Sequence, residues 1–406
     1  MNRKFLTMIL ILMVCLPQAS IGLYVPSLPH MMVGFRATEM EMQLTMSVFM
    51  AGYAVSALIS GILADRFGRK PVAVIGLAVF VIASLACLFA PHVWFLIGSR
   101  FFQALGGCCG TTLSRVMTRD TFDAQDQVKV LTYLSMAIAV TPAITPMIGG
   151  YLETWYGWQL SFAALAGAGT FLLGAVWFGV KETAPSRNEQ AAKAGVIFRN
   201  YKHLMTNKYF LLFSLTISLT WCAYFTFITS SSFVLQGVMG ASPIWYGVAY
   251  AVVVAGYMVG TALTRRLSKA FELNRIILVE SLLAFAASAG MLVWIWFQPH
   301  SLLGIVLPMS VMMIGIGGIF PACHAAVLKP FDAIAGTASG LFFFLQMISG
   351  AVCGVIIGLF HTDSALPMVL TIHLFCLALL LSFYWLGWKE NRSLYQEDQT
   401  STQKVV

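Results

Sequence analysis

Gly61-Ile62-Leu63-Ala64-Asp65-Arg66-Phe67-Gly68-Arg69-Lys70 breaks an otherwise apolar stretch of the chain. Ahead of it, Val48 to Leu63 is almost wholly apolar. Behind it, Pro71 restarts an apolar run to Ala90. A helix needs roughly 20 apolar residues to cross a bilayer, so the stretch reads as a tight basic turn between two membrane-length helices. Gly68 permits such a turn at low steric cost.

The same pattern fills the rest of the chain. Its 406 residues are 59% hydrophobic and 10% charged, with a mean hydropathy of +0.82. A soluble domain carries about 25% charged residues. The apolar runs are continuous and do not alternate, which selects helices over a barrel. Twelve spans are predicted, at about residues 5–28, 41–63, 72–91, 95–116, 129–152, 160–180, 209–235, 244–264, 275–297, 301–326, 336–360 and 366–388. The one long polar segment, Glu182 to Lys208, divides them six and six. The predicted fold is an all-α polytopic membrane protein: an N-terminal six-helix half (1–181), a cytoplasmic linker (182–208), a C-terminal six-helix half (209–388) and a cytoplasmic tail (389–406).

The net charge of +8 could suggest nucleic acid, but its placement argues otherwise. Arg3, Lys4, Arg66, Arg69, Lys70, Arg119, Lys181, Arg187, Lys193, Arg199, Lys202, Lys208, Arg265, Arg266, Lys269, Arg275, Lys329, Lys389 and Arg392 fall in loops of one parity. The opposite loops hold Arg36 and little else. This is the positive-inside pattern, with both termini in the cytoplasm. The first 20 residues look like a signal peptide, yet the apolar run continues through Val25, and cleavage would leave an odd number of spans. All eight cysteines fall inside apolar spans, so no disulfide framework or metal site is expected.

The spacing G-x-L-x-D-R-x-G-R-K resembles the loop between the second and third helices of the major facilitator superfamily of transporters. That resemblance implies two parallel six-helix halves, a monomer, and a cytoplasmic gate built from Gly61, Asp65, Arg66, Gly68, Arg69, Lys70 and Asp120. Asp65 would face the start of the eleventh span near Gly336-Thr337, stabilised by the helix dipole, and Arg69 would reach Asp120 at the end of the fourth span. A purely topogenic basic loop would account for the cations but not for Asp65 or Gly68.

Further phrases resemble one branch, the Bcr/CflA family of drug/proton antiporters. Tyr24-Val25-Pro26-Ser27-Leu28-Pro29 matches the end of its first helix, except that Gly22 stands where the family usually has Asp. A buried carboxylate there is a natural proton carrier, so Gly22 puts the coupling in question. Arg100, Gln103 and Gly106 match R-x-x-Q-x-x-G in the fourth span. An arginine there must face protein or a watery cavity, or snorkel to the near boundary. Pro142, Pro146, Gly149 and Gly150 resemble the antiporter phrase G-P-x-x-G-G, with Thr145 replacing its first glycine. The resemblance implies a bent helix that seals the centre against ion leak; a plain kink is the alternative.

Tyr24, Trp221, Tyr224, Phe225, Phe343 and Gln346 are the candidate pocket. At helical spacing such residues also pack or face lipid. If they face the centre, they make a greasy site with few polar anchors, suited to apolar compounds and aromatic cations. Glu280 reads as structural in a span usually peripheral in this fold, and Glu41 as a solvated helix end. Small-residue stripes at Gly52, Ser56, Ser60, at Gly256, Gly260, and at Gly350, Gly354, Gly358 read as helix contacts. No nucleotide loop, carboxylate pair or catalytic triad is present, so an ATP-driven pump and an enzyme are disfavoured, and no cofactor is expected.

The expected function is export of small hydrophobic or amphipathic compounds across the bacterial cytoplasmic membrane by proton antiport. The alternatives are a uniporter or an exporter of one metabolite or siderophore-like product with altered coupling, and a sensor that binds without transport.

Overall fold

The computed structural model describes residues 3–184, 194–331, 334–360 and 364–388. Pro185, Arg187 and Lys193 of the linker, and the tail from 389 with Lys389 and Arg392, lie outside the described residues. Among the described residues every regular element is helical. The long helices are α1 (Arg3–Gly22), α2 (Glu39–Phe67), α3 (Arg69–Leu88), α4 (Val93–Thr121), α5 (Ala124–Tyr156), α6 (Trp158–Gly179), α7 (Lys208–Ser232), α8 (Pro243–Leu267), α9 (Leu273–Phe297), α10 (Leu302–Leu328), α11 (Ala335–Gly358) and α12 (Leu366–Ser382).

Eleven of these, with their short extensions, are long and apolar enough to cross a membrane. The exception is α4, where Arg100, Gln103, Thr111, Thr112, Ser114, Arg115 and Arg119 dilute the apolar sequence. Large apolar side chains such as Phe178, Phe297 and Phe89 are 88%, 78% and 76% exposed, which a bilayer tolerates and water does not. The chain is therefore a multi-pass, all-α membrane protein.

Its contacts cluster into two compact units: Met1–Lys193 with Ala241–Ala251, and Ala194–Gly240 with Val252–Val406. In the first unit α3 packs on α4 and α6, and α1 on α5. In the second, α9 packs on α10 and α12, and α7 on α11. The same pairings thus recur six helices apart. Close backbone approach explains the small residues. A Cβ on Gly106 of α4 would strike the Gly76 carbonyl of α3, and Ser56 of α2 donates to the Leu105 carbonyl of α4 at 2.9 Å. In the second unit, side chains on Gly256 and Gly260 would meet the Ser310 and Ile314 carbonyls of α10.

Two helix ends gain detail in the structure. α1 stops at Gly22, and Pro26 and Pro29 sit in the first turns of a short 3-10 segment (Val25–Ser27) and of the helix Leu28–Phe35, where no N–H is needed. Glu41 is not a bare solvated end. It forms a capping box with Thr38, accepting from the Thr38 N–H at 2.8 Å while its own N–H donates to the Thr38 hydroxyl at 3.2 Å. A linker helix, Ala194–Thr206, buries Leu204 among Phe210, Phe331 and Phe342 of the second unit.

Candidate functional site

The basic turn forms because α2 stops at Gly68, whose φ of 101° disfavours any side chain. There the Gly68 N–H still closes on the Ala64 carbonyl at 3.0 Å. Arg69 opens α3 and folds back over the break. Its Nε donates to Asp120 Oδ2 at 2.9 Å, and its Nη1 donates to the Ala64 carbonyl and to Asp65 Oδ1, both at 2.8 Å. The Arg69 and Asp120 side chains are only 9% and 13% exposed, so theirs is an enclosed bond between charged groups, the stronger kind, while Asp65 is 46% exposed. Arg66 is exposed, its guanidinium 5.2 Å from the Phe67 ring. Gly61 has open space around it, and Lys70 contributes its backbone.

That backbone meets a residue the sequence reading passed over. Glu182, in the segment after α6, accepts from the Arg69 N–H at 2.9 Å and the Lys70 N–H at 3.3 Å, capping α3. It also accepts from the N–H groups of Thr183 and Ala184. Partial burial works against its charge, but the donors at Ala184, Arg69, Thr183 and Lys70 outweigh it and hold the carboxyl below the usual glutamate range. A Cβ on Gly68 would strike this carboxylate. Gly68 is thus required twice, for its φ and for its neighbour.

Arg100 is fully buried, which excludes snorkelling. Its Nη1 donates to Gln103 Oε1 at 2.6 Å and to the Ser20 carbonyl at 3.0 Å. Its guanidinium carbon lies 4.1 Å from the Phe49 ring centre and 4.5 Å from that of Tyr24. Among the described residues no carboxylate pairs with it, so two aromatic faces and neutral acceptors carry the charge. A desolvated cation–π contact contributes about 2 kcal/mol. Gln103 passes the network on, donating to Ser84 at 2.8 Å. Tyr24, a sequence candidate for the pocket, packs here: its hydroxyl is 2.6 Å from the Thr45 hydroxyl and the residue is 1% exposed.

The antiporter-like phrase of α5 is a face against α1. Thr141 donates to Cys15 Sγ at 3.2 Å, and a Cβ on Gly149 would lie 2.5 Å from the Leu23 carbonyl. Between them, Thr145 fills the space at Gly22: any Cβ there would collide with the Thr145 hydroxyl and come 3.1 Å from Pro146. Gly150 and Pro146 turn toward the start of α8, where side chains on Gly150 and Gly247 would meet the carbonyls of Pro243 and Pro146. Pro142 lies inside α5, which remains helical past both prolines.

In the second unit the sequence candidates form an aromatic cluster. Trp221 stacks on Phe225, centroids 6.0 Å apart, and meets Tyr224 edge-on at 5.8 Å. Phe320 and Tyr257, which the sequence did not single out, extend the cluster, with Trp221–Phe320 and Tyr257–Phe320 each at 6.1 Å. Gly350 of α11 leaves room for the indole nitrogen. That N–H and Gln346 Oε1, one turn away on α11, have no hydrogen-bond partner among the described residues, although Gln346 is only 3% exposed. Phe343 is half-buried, while Phe342 belongs to the core with Phe210.

The family model described as Major Facilitator Superfamily matches residues 10–354. The multidrug resistance protein MdtL of Escherichia fergusonii is 30% identical over 346 residues, 84% of each chain. Multidrug resistance protein D of Escherichia coli strain K12 is 26% identical over 349 residues, 86% of each chain. Among solved structures, a peptide transporter in complex with sulfate superposes with a TM-score of 0.79 at 14% identity, covering 96% of this chain and 95% of that one. A D-xylose-proton symporter gives 0.77 at 13%, covering 96% and 98%.

Proposed function

Since the chain belongs to the major facilitator superfamily, we propose that it exports small hydrophobic or amphipathic compounds by alternating access, driven by protons moving inward. It acts as a monomer in a bacterial inner membrane with both termini in the cytoplasm. The observation that carries this reading is the aromatic cluster around Trp221. It offers broad apolar faces and two unmet polar atoms, a donor and an acceptor, to a bound compound. Such a site holds apolar bodies with little discrimination. The multidrug names of the relatives support the same substrate class.

The Asp65–Arg69–Asp120 bonds, held from the far side by Glu182, support the reading of this loop as the cytoplasmic gate. Arg100 and Gln103 are read as the rigid floor beside the path, and the α5 face as the seam that seals it. A second reading has a specific observation behind it. With Gly22 packed against Thr145, α1 has no carboxyl at the position where the similar antiporters usually carry one. A uniporter or single-product exporter with altered coupling would fit that change.

Everted vesicles holding the protein and a pH-sensitive dye test both. The panel contains lipophilic cations, neutral aromatic drugs and iron-chelating metabolites. A proton release triggered by one of these is the expected result. Accumulation without proton movement would favour the second reading, and no movement of any compound would overturn export.

A further inference from the structure

Glu280 lies in α9, about two turns from that helix's basic end, and is 6% exposed. Thr264 of α8 donates its hydroxyl to Oε1. Oε2 has no hydrogen-bond partner among the described residues. The facing helix makes room for the group: a Cβ on Gly318 of α10 would collide with both carboxyl oxygens, and one on Gly315 would lie 2.6 Å from the Glu280 carbonyl. A carboxylate kept only to brace the fold would have both oxygens satisfied, because a buried unmet acceptor is costly.

The surroundings offer it no cation. None of the ion pairs among the described residues includes Glu280. From α10 the buried Cys323 faces it, while His324 turns to the Phe320 carbonyl and the Phe342 ring. On α8, Arg265 and Arg266 follow Thr264 but are exposed. On α12, Cys376 meets Met312, and His373 meets Ser288. Tyr384 beyond α12 and Glu272 and Arg275 at the end of α9 are exposed. A hard metal ion would need about six oxygens, and this niche supplies two carboxyl oxygens and one hydroxyl.

We propose that Glu280 is a proton-binding site and the carboxyl through which proton movement is coupled to export. Oε2 takes the proton, an O–H bond forms, the charge in the niche disappears, and Thr264 keeps its bond to Oε1. The coupling part rests on the antiport reading, which needs a carboxyl that α1 does not carry. An ionisable group enclosed within a membrane span, paired with no cation, is where such a carboxyl is to be sought.

Infrared difference spectra of the full-length protein in lipid, recorded between acid and alkaline buffer, read the C=O stretch of protonated carboxyls. The expected result is a band that is lost in Glu280→Gln and shifted in Thr264→Val, which removes the hydroxyl and keeps the shape. A band unchanged in both variants overturns the site. The Thr264→Val shift decides alone if Glu280→Gln fails to fold. Proton release in everted vesicles, with a compound that the wild type exports, separates the two layers. Equal release per exported molecule in wild type and Glu280→Gln overturns the coupling role while antiport stands. No release in the wild type, with the band behaving as expected, overturns antiport and leaves Glu280 a proton site.

Discussion

At the scale of single residues, the turn between α2 and α3 gives the sharpest expectations. Gly68→Ala adds one carbon at a φ of 101° and drives it into the Glu182 carboxylate. A strained backbone conformation of this kind costs about 1–3 kcal/mol. The variant should therefore melt lower in detergent and export more slowly, and the loss should shrink when Glu182→Ala is added. A Gly68→Ala protein as stable and active as wild type would remove Gly68 from the gate. Glu182 also makes a pH prediction. Its carboxyl in the folded protein lies below its value in the unfolded chain. The stability it contributes is therefore complete above the unfolded value, about 4.3, and is lost as pH falls through the lower, folded one. Melting curves from neutral to acid pH should show that loss in wild type and a flatter profile in Glu182→Gln. Arg100→Lys keeps the charge but cannot fill the space between Tyr24 and Phe49 with a flat guanidinium. A loss of about 2 kcal/mol is expected in the melting of the purified variant.

At the scale of helices, the seam between α1 and α5 carries its own prediction. Gly22 and Thr145 both depart from the antiporter phrases that this chain resembles, and in the structure the two meet. The threonine side chain occupies the volume that a side chain at Gly22 would need. Gly22→Asp alone should thus misfold or melt lower, by the roughly 1–3 kcal/mol typical of overpacking. Combining it with Thr145→Gly should recover most of the loss, a coupling a double-mutant cycle measures. Additive effects would mean that the two positions do not share the space. This pairing also marks what the sequence could and could not reveal. The helices themselves were legible, because long apolar runs have no other stable form in a bilayer. The Arg69–Asp120 contact was legible through the resemblance to the superfamily, which implied it. The neighbours Gly22–Thr145, Trp221–Gly350 and Arg69–Glu182 were not. Helices apolar on every side present no face to read, and the rotation that brings these residues together is set by packing across more than a hundred positions.

At the scale of the whole molecule, export has a direction, and direction depends on which side the basic turns face. The proposed orientation, drawn from the positive-inside pattern, would put the α2–α3 and α8–α9 turns in the cytoplasm and the α3–α4 and α9–α10 turns outside. The chain is well suited to a labelling test. Of its eight free cysteines, seven are buried and only Cys15 is half-buried, so the wild-type background against a membrane-impermeant maleimide should be low. Arg66, in the last turn of α2, and Lys269, Pro91 and His300, one in each of the other three turns, are all exposed. Arg66→Cys and Lys269→Cys should label in everted vesicles and resist label in intact cells, while Pro91→Cys and His300→Cys should do the opposite. The reverse pattern would place the Asp65–Arg69–Asp120 bonds on the outer side. The loop would then guard entry from outside rather than from the cytoplasm, and proton-driven export would lose its structural basis even if every residue-scale prediction held.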